Sequence, residues 1–360
     1  MEGGRMEGGR LIGQGTFGCV FDPPLKCKEA RSKQGKVLPI GKIGQPIDAE
    51  IELAAAKTLG AIPDASTYFV LPDPNSLCTP LNPSKANTNE CKIIQRQGVQ
   101  GMVHFSMPYG GITITKYLDR LQQGNRVFPF REIITRLLEC GSTLALHGYV
   151  HYDISPRNIL FDEKTGLPRL IDFGMSFSTR NITAATIQER WKVYSPEYDV
   201  EPPEISILTG LKKGMRINEL IRDEIKKKSA IQSANVHAGL SIKTQLNSFI
   251  NFWKSSKSMK EQDLPTFFKY YWPSFDAWSI GYVILVIFRY YIQTTHVSDD
   301  AKLYMTTKEI LRGLLSMSPR TRIDCIEALV KFNPESPVIT SIAGKKWLEE
   351  RALIRTTAVQ

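Results

Sequence analysis

His151-Tyr152-Asp153-Ile154-Ser155-Pro156-Arg157-Asn158-Ile159-Leu160, with Asp172-Phe173-Gly174 beyond it, is the stretch on which the reading of this chain turns. It has the form H-x-D-x-x-x-x-N, and the second acidic motif begins fourteen residues after Asn158. The residue types suit phosphoryl transfer. A carboxylate near the attacking hydroxyl orients it and takes its proton, a role for Asp153. Oxygen ligands for a Mg²⁺ ion on the phosphates are the other need, and Asn158 and Asp172 supply these.

Upstream, Leu11-Ile12-Gly13-Gln14-Gly15-Thr16-Phe17-Gly18-Cys19-Val20 contains GxGxxG followed by x-V. Glycines at this spacing also form dinucleotide-binding turns that open a helix. Here Phe17, Val20 and Phe21 alternate and Pro23-Pro24 forbids a helix, so two strands joined by a turn that covers phosphates fit better. Taken alone the motif is equally an ordinary glycine-rich hairpin.

Together these motifs resemble the eukaryotic-type protein kinase family over residues 10–332. Met107-Pro108-Tyr109-Gly110-Gly111, Pro202-Pro203-Glu204 and a long insert resemble the divergent branch encoded by large cytoplasmic DNA viruses. The resemblance implies an α+β, two-lobed fold, with a small antiparallel-sheet lobe at 10–108 and a larger helical lobe at 112–332. It implies ATP and Mg²⁺ as cofactors and protein Ser/Thr hydroxyls, rather than nucleic acid, as acceptors. Gly13, Gly15, Gly18 and Val20 match the loop over the ATP phosphates. Lys42 matches the strand lysine on the α- and β-phosphates, with Lys36 as rival. Glu50, or else Glu52, matches the helix glutamate paired with it; Glu50 is preferred because Leu53 falls three residues on. Met107 matches the residue at the back of the adenine pocket, and Pro108, Tyr109 and Gly110 the hinge backbone. Asp276, in Asp276-Ala277-Trp278-Ser279-Ile280-Gly281, resembles the aspartate that holds the catalytic loop. Glu204 resembles the glutamate closing the activation segment, with Ser195-Pro196-Glu197 competing, and Arg322 resembles its arginine partner.

Three departures from the family pattern matter. Tyr152 replaces the arginine before the catalytic aspartate, so a phosphate on the activation loop lacks its usual partner. Ser155 stands where a lysine is usual, and Arg157 is the candidate replacement charge. About 70 residues separate Glu204 from Asp276, far more than usual. A pseudokinase that binds without turnover and a kinase of small molecules or lipids remain open alternatives.

The remainder sets bounds. With 360 residues, 42% of them hydrophobic, and 23% charged, the chain is long enough for two or more folding units and unlike a disordered one. Met1–Arg5 and Met6–Arg10 are two copies of one pentapeptide, residues 1–9 are read as flexible, and 333–360 as a helical tail. The longest apolar run, Ile280–Phe288, is about half a membrane span. The absence of a basic-then-apolar leader argues against secretion. On that basis the six cysteines, none in a CxxC, are expected as free thiols in the cytoplasm. His104, His147, His237 and His296 show no metal-ligand spacing. The net charge is +10. Residues 205–264 hold eleven Lys/Arg against five Asp/Glu, a surplus of six that could meet an acidic partner. Within the insert, about 205–270, Ile217, Leu220, Ile221 and Ile225, then Ile242, Leu246, Phe249, Ile250 and Trp253, recur at helical spacing. Asp48–Leu59 is expected as a helix capped by Asp48.

Overall fold

A computed structural model describes residues 9–15, 18–28, 38–81, 90–123, 128–294 and 300–357. Lys36, Thr16, Phe17 and the repeat at 1–8 lie outside these. The fold is α+β, with an antiparallel sheet near the N-terminus and a larger helical part, as expected. The chain divides into two compact units. One runs to Gly111 and takes in Arg169–Ser176; the other comprises Ile112–Pro168 and Phe177 onward.

In the first unit, β1 (Arg10–Gln14), β2 (Gly18–Asp22), β3 (Ile40–Gly44) and β4 (Val103–Met107) form a four-stranded antiparallel sheet in that order. The register places Val20 opposite Lys42 and Lys42 opposite Phe105. Gly18 is obligatory for packing, since a Cβ there would strike the Ile43 carbonyl on β3. One face carries Cys19, Phe21, Leu25, Ile43, Cys91, Ile94 and Met102 as a core. Against the other, α1 (Pro46–Leu59) buries Ala49 and Leu53 on Phe105. The helix opens at Pro46, a residue suited to a first helical position, and Asp48 lies in the first turn instead of capping it.

Four of the six cysteines are not free thiols. Cys19–Cys91 and Cys27–Cys78 are disulfides, across sequence separations of 72 and 51. Bridges to Pro80 and His104 hold Cys27 and Cys78, while Cys91, just before the helix Lys92–Gln97, shares a core with Cys19; spacing alone reveals neither pairing. Only Cys140 and Cys325, buried in the second unit, remain thiols.

The second unit is built around Phe275–Thr294, where Trp278, Ile280, Val283, Ile284 and Phe288 are all fully enclosed. The continuous stretch Leu264–Thr294 is long and apolar enough to cross a membrane, well beyond the short apolar run visible in the sequence. Its most apolar window is 72% buried within the protein, as befits a core helix. Phe130–Leu146 and Cys325–Phe332 pack around it. Among them, Gly141 leaves room for Ile280 and the Cys325 sulfur.

The insert folds as helices Ile217–Lys227, Ser229–Ala238 and Ile242–Ser255. Leu220, Ile221 and Phe249 of the expected stripes are buried, together with Phe252. Glu224 Oε2 and Lys228 Nζ, one turn apart, stand 3.3 Å from each other with both side chains fully enclosed. Burial pushes the Glu224 carboxyl up to about 8, while Lys228 pulls the other way. Its ordinary value is 4.5. Between about 4.5 and about 8 the folded chain therefore holds a proton that the unfolded chain has released, so this group's contribution to stability falls as pH rises through that window. Glu224→Gln removes the dependence. The melting temperature of the variant, relative to wild type, is expected to shift in the variant's favour from pH 5 to pH 8, over about that window. A difference independent of pH would show that Glu224 is not the titrating group.

Candidate active site

In the sheet unit the groups converge on one lysine. Lys42, on β3, is buried, and its Nζ donates to Glu52 Oε2 at 2.6 Å and to Asp172 Oδ1 at 2.9 Å. Burial draws the ammonium's pKa down, but the Glu52 and Asp172 carboxylates outweigh this and leave it raised, so the lysine stays charged. Burial in turn pushes Glu52 up, to about 7, against the pull of Lys42. Glu50 is not the partner: it is exposed. At 100° per residue, Ala49, Glu52, Leu53, Ala56 and Leu59 fall on the face of α1 turned to the sheet, and Glu50 points well away from it. The full stripe from Ala49 to Leu59, more than the single spacing to Leu53, carries that information.

Asp172 has φ 65°, in the left-handed region that non-glycine residues rarely adopt. Such a conformation costs about 1–3 kcal/mol and persists where surrounding contacts over-determine it. Phe173, beside it, is enclosed and meets Phe69 edge-on, with ring centroids 5.6 Å apart. The glycine loop is described at both ends: Gly15 N–H donates to the Gly18 carbonyl at 2.9 Å. A Cβ at Gly15 would meet nothing within 4 Å. Val20 and Met107 are half-buried on β2 and β4, Tyr109 is exposed, and Gly110 is buried. The Gly110 carbonyl accepts from Arg169 Nη2 at 2.9 Å, which fixes the backbone there.

In the helical unit, Asp276 organises the H-x-D loop. Its Oδ2 accepts from the His151 N–H at 2.7 Å and its Oδ1 from the Tyr152 N–H at 2.9 Å. Burial pushes the Asp276 carboxyl up, and His151 with these two N–H bonds pulls it back. Tyr152 also has a positive φ, 67°. Its carbonyl accepts from Lys192 Nζ at 2.7 Å, so this strained residue is held at both its N–H and its C=O.

Asp153 thus sits on a pinned backbone. Asn158 Nδ2 donates to the Asp153 carbonyl at 2.8 Å and to its Oδ2 at 3.0 Å. Because Asn158 commits its NH₂ in this way, its amide oxygen is the atom it can offer a cation. Tyr198 donates its hydroxyl to Asp153 Oδ1 at 3.0 Å. Burial, then Asp153, raise the Tyr198 pKa, so the phenol stays protonated and donates. Arg157 is exposed and also bonds Tyr198. Lys192 Nζ stands 3.9 Å from Asp153 Oδ1 and 4.5 Å from the Tyr152 ring centroid. Sequence reasoning did not find Tyr198 or place Lys192 here, because neither occupies a position in a motif.

Of the two competing glutamates, Glu204 is the one that Arg322 meets. Arg322 Nη1 and Nη2 reach Glu204 Oε1 and Oε2 at 2.7 and 2.8 Å, a two-pronged, fully buried pair. The Ser274, Ser316 and Met317 carbonyls satisfy the rest of the guanidinium. Glu197 is exposed and accepts from Ser195 Oγ.

No family model matches the chain. A short segment is similar to curated proteins. The serine/threonine-protein kinase Kist of Mus musculus, and likewise of Homo sapiens, is 38% identical over 66 residues, 18% of this chain and 16% of the relative. The match therefore spans about a sixth of those relatives' length, and it amounts to a kinase-like relationship.

The Lys42 pairing is directly testable. Glu52→Ala removes a buried partner and is expected to cost about 3–5 kcal/mol. The same change at exposed Glu50 should stay within about 0.5 kcal/mol. Urea unfolding of the two variants checks this, and equal losses would overturn the pairing.

Proposed function

We propose that the protein is an ATP-dependent protein kinase acting on Ser/Thr hydroxyls. The observation that carries this is Asp153: its carboxylate is oriented by Asn158 and already accepts a hydroxyl hydrogen, that of Tyr198. A substrate hydroxyl presented to the same oxygen would lose its proton to Asp153 as it attacks the γ-phosphorus. Lys42, held charged by two carboxylates, supplies a cation for nucleotide phosphates, and Gly15 leaves its backbone open to a close-lying phosphate. Asp172 offers carboxylate oxygen and Asn158 amide oxygen, each a donor type that would suit a hard cation. When bound there, Mg²⁺ would neutralise charge on the phosphates. Lys192, close to Asp153, supplies positive charge that Ser155 cannot. Arg157 is the second candidate for that role. The name of the matched relatives supports Ser/Thr acceptors. Within this reading we place the chain nearest the viral branch, on Met107–Gly111 and the long insert, which implies host cytoplasm or virion.

Asp153→Asn is expected to lose most turnover, by a factor of at least about 100, while still binding Mg-ATP. Asp172→Asn should also weaken the metal-dependent part of nucleotide binding. Transfer of labelled phosphate to a mixed protein substrate, against a small-molecule acceptor, is the assay. Activity unchanged in Asp153→Asn would refute the assignment, and Mg-ATP binding without any transfer in wild type would mark a pseudokinase.

The same reading makes activity independent of activation-loop phosphate. Lys192 is committed to the Tyr152 carbonyl, and the segment is ordered by the insert. Lys228 Nζ donates to the Tyr198 carbonyl at 2.9 Å, and Ala230 N–H donates to Asp199 Oδ1 at 2.7 Å. Ser229 Oγ donates to Asp199 Oδ2. Protein stripped by phosphatase and verified by mass spectrometry should keep its turnover at saturating ATP. A large loss, restored by phosphate at one site within 175–204, would refute this.

A further inference from the structure

Cys27, Cys78 and His104 reach one point of the sheet unit from three stretches of chain. Cys78 and His104 are bridged antiparallel, with Cys78 N–H to the His104 carbonyl at 2.8 Å and His104 N–H to the Cys78 carbonyl at 2.9 Å. Cys27 is bridged in the same sense to Pro80, and Lys28 N–H donates to the Thr79 carbonyl at 2.9 Å. The backbone therefore fixes all three positions independently of the sulfur chemistry. His104 Nδ1 stands 3.5 Å from the Cys78 sulfur and 3.9 Å from that of Cys27. All three potential ligand atoms lie within 4.8 Å of one another, and among the described residues this is the one such group of His, Cys and carboxylate side chains. The imidazole is buried and the two cysteines are half-buried. Gly41, on the neighbouring β3, gives the ring its room, because any Cβ there would collide with Nε2.

The two sulfurs are joined in this structure. A tetrahedral zinc site, with Zn–S about 2.3 Å and Zn–N about 2.0 Å, has S···N edges of about 3.5 Å and an S···S edge of about 3.8 Å. The sulfur-to-imidazole distances already approximate the first value. Only the sulfur-to-sulfur distance must change, and the half-buried position leaves an approach for the ion.

We propose that the reduced form of this cluster binds one divalent ion of zinc type, with the Cys27 and Cys78 thiolates and His104 Nδ1 as ligands and water at the fourth position. A phosphine or dithiol reductant supplies two electrons that break the S–S bond and is itself oxidised. Two protons taken up complete the thiols, and both are released when the thiolates ligate the ion. Disulfide and metal complex exclude each other, since each uses the same sulfur electron pairs. The loop after β2 is thus tied to the approach of β4 by a covalent bond in one redox state and by a metal clip in the other.

The test uses the full chain, reduced with a phosphine, freed of reductant without air and titrated with Co²⁺. One Co²⁺ per chain is expected, with a thiolate-to-cobalt charge-transfer band and the strong visible bands of a tetrahedral ion. Zn²⁺ should displace it, and the oxidised protein should show none of it. Cys19→Ser/Cys91→Ser should keep the spectrum, and Cys27→Ser/Cys78→Ser should lose it. A measurement free of variants is alkylation of reduced wild type read by mass spectrometry, in which Zn²⁺ should protect Cys27 and Cys78. Tetrahedral bands surviving in the Cys27/Cys78 variant would overturn the proposal. So would a reduced, folded wild type with neither bands nor protection at those two cysteines.

Discussion

The Asp276 carboxylate, enclosed in the core and bonded to two successive backbone N–H groups, is the constraint on which the H-x-D loop depends. A buried carboxylate without donors is costly, and a left-handed Tyr152 is strained. Each cost is offset by the other partner's need. The carboxylate requires donors, and the turn requires something to hold its N–H groups in that direction. Lys192 closes the opposite side of the same residue. Asp153 is then placed by backbone geometry before any substrate is considered.

Much of this was legible in the sequence because it lies in motifs with fixed spacing. His151 to Asn158, Asp172, Asp276, Glu204 and Arg322 all stand in motifs of recognisable residue type and order. The α+β division followed from strand-like alternation before Gly111 and helical periodicity after it. What was not legible depends on direction or on distant pairing. Choosing Glu52 over Glu50 required the orientation of the whole helical stripe, since both glutamates lie in one short helix. Tyr198 and Lys192 approach Asp153 through tertiary packing of a segment without a motif of its own. The disulfides join cysteines 51 and 72 positions apart, and tertiary packing around the sheet brings them together.

Two successive lysines of the basic insert are paired with carboxylates one helical turn away. Lys228 is wholly enclosed with Glu224, and Lys227 pairs with Asp223 at 2.9 Å. Its helices serve as a brace for residues 198–200. Trp278 Nε1 donates to the Asp199 carbonyl and Ser279 Oγ to the Val200 carbonyl from the core helix. The segment is thus bonded on one side by the insert and on the other by the central helix. A desolvated lysine in such a brace cannot leave without rehydration, so order in the segment is tied to folding of the unit.

The distribution of sulfur has a further consequence. Every disulfide belongs to the sheet unit, whereas both thiols of the helical unit are enclosed, and burial pushes the Cys325 thiol well above its ordinary value. A thiol-reactive reagent applied to the folded, reduced protein would therefore address Cys27 and Cys78 first, since Cys19 and Cys91 are enclosed as well. Counting its uptake would act as a gauge of how open the sheet unit is, while any later uptake at Cys140 and Cys325 would time the opening of the helical unit.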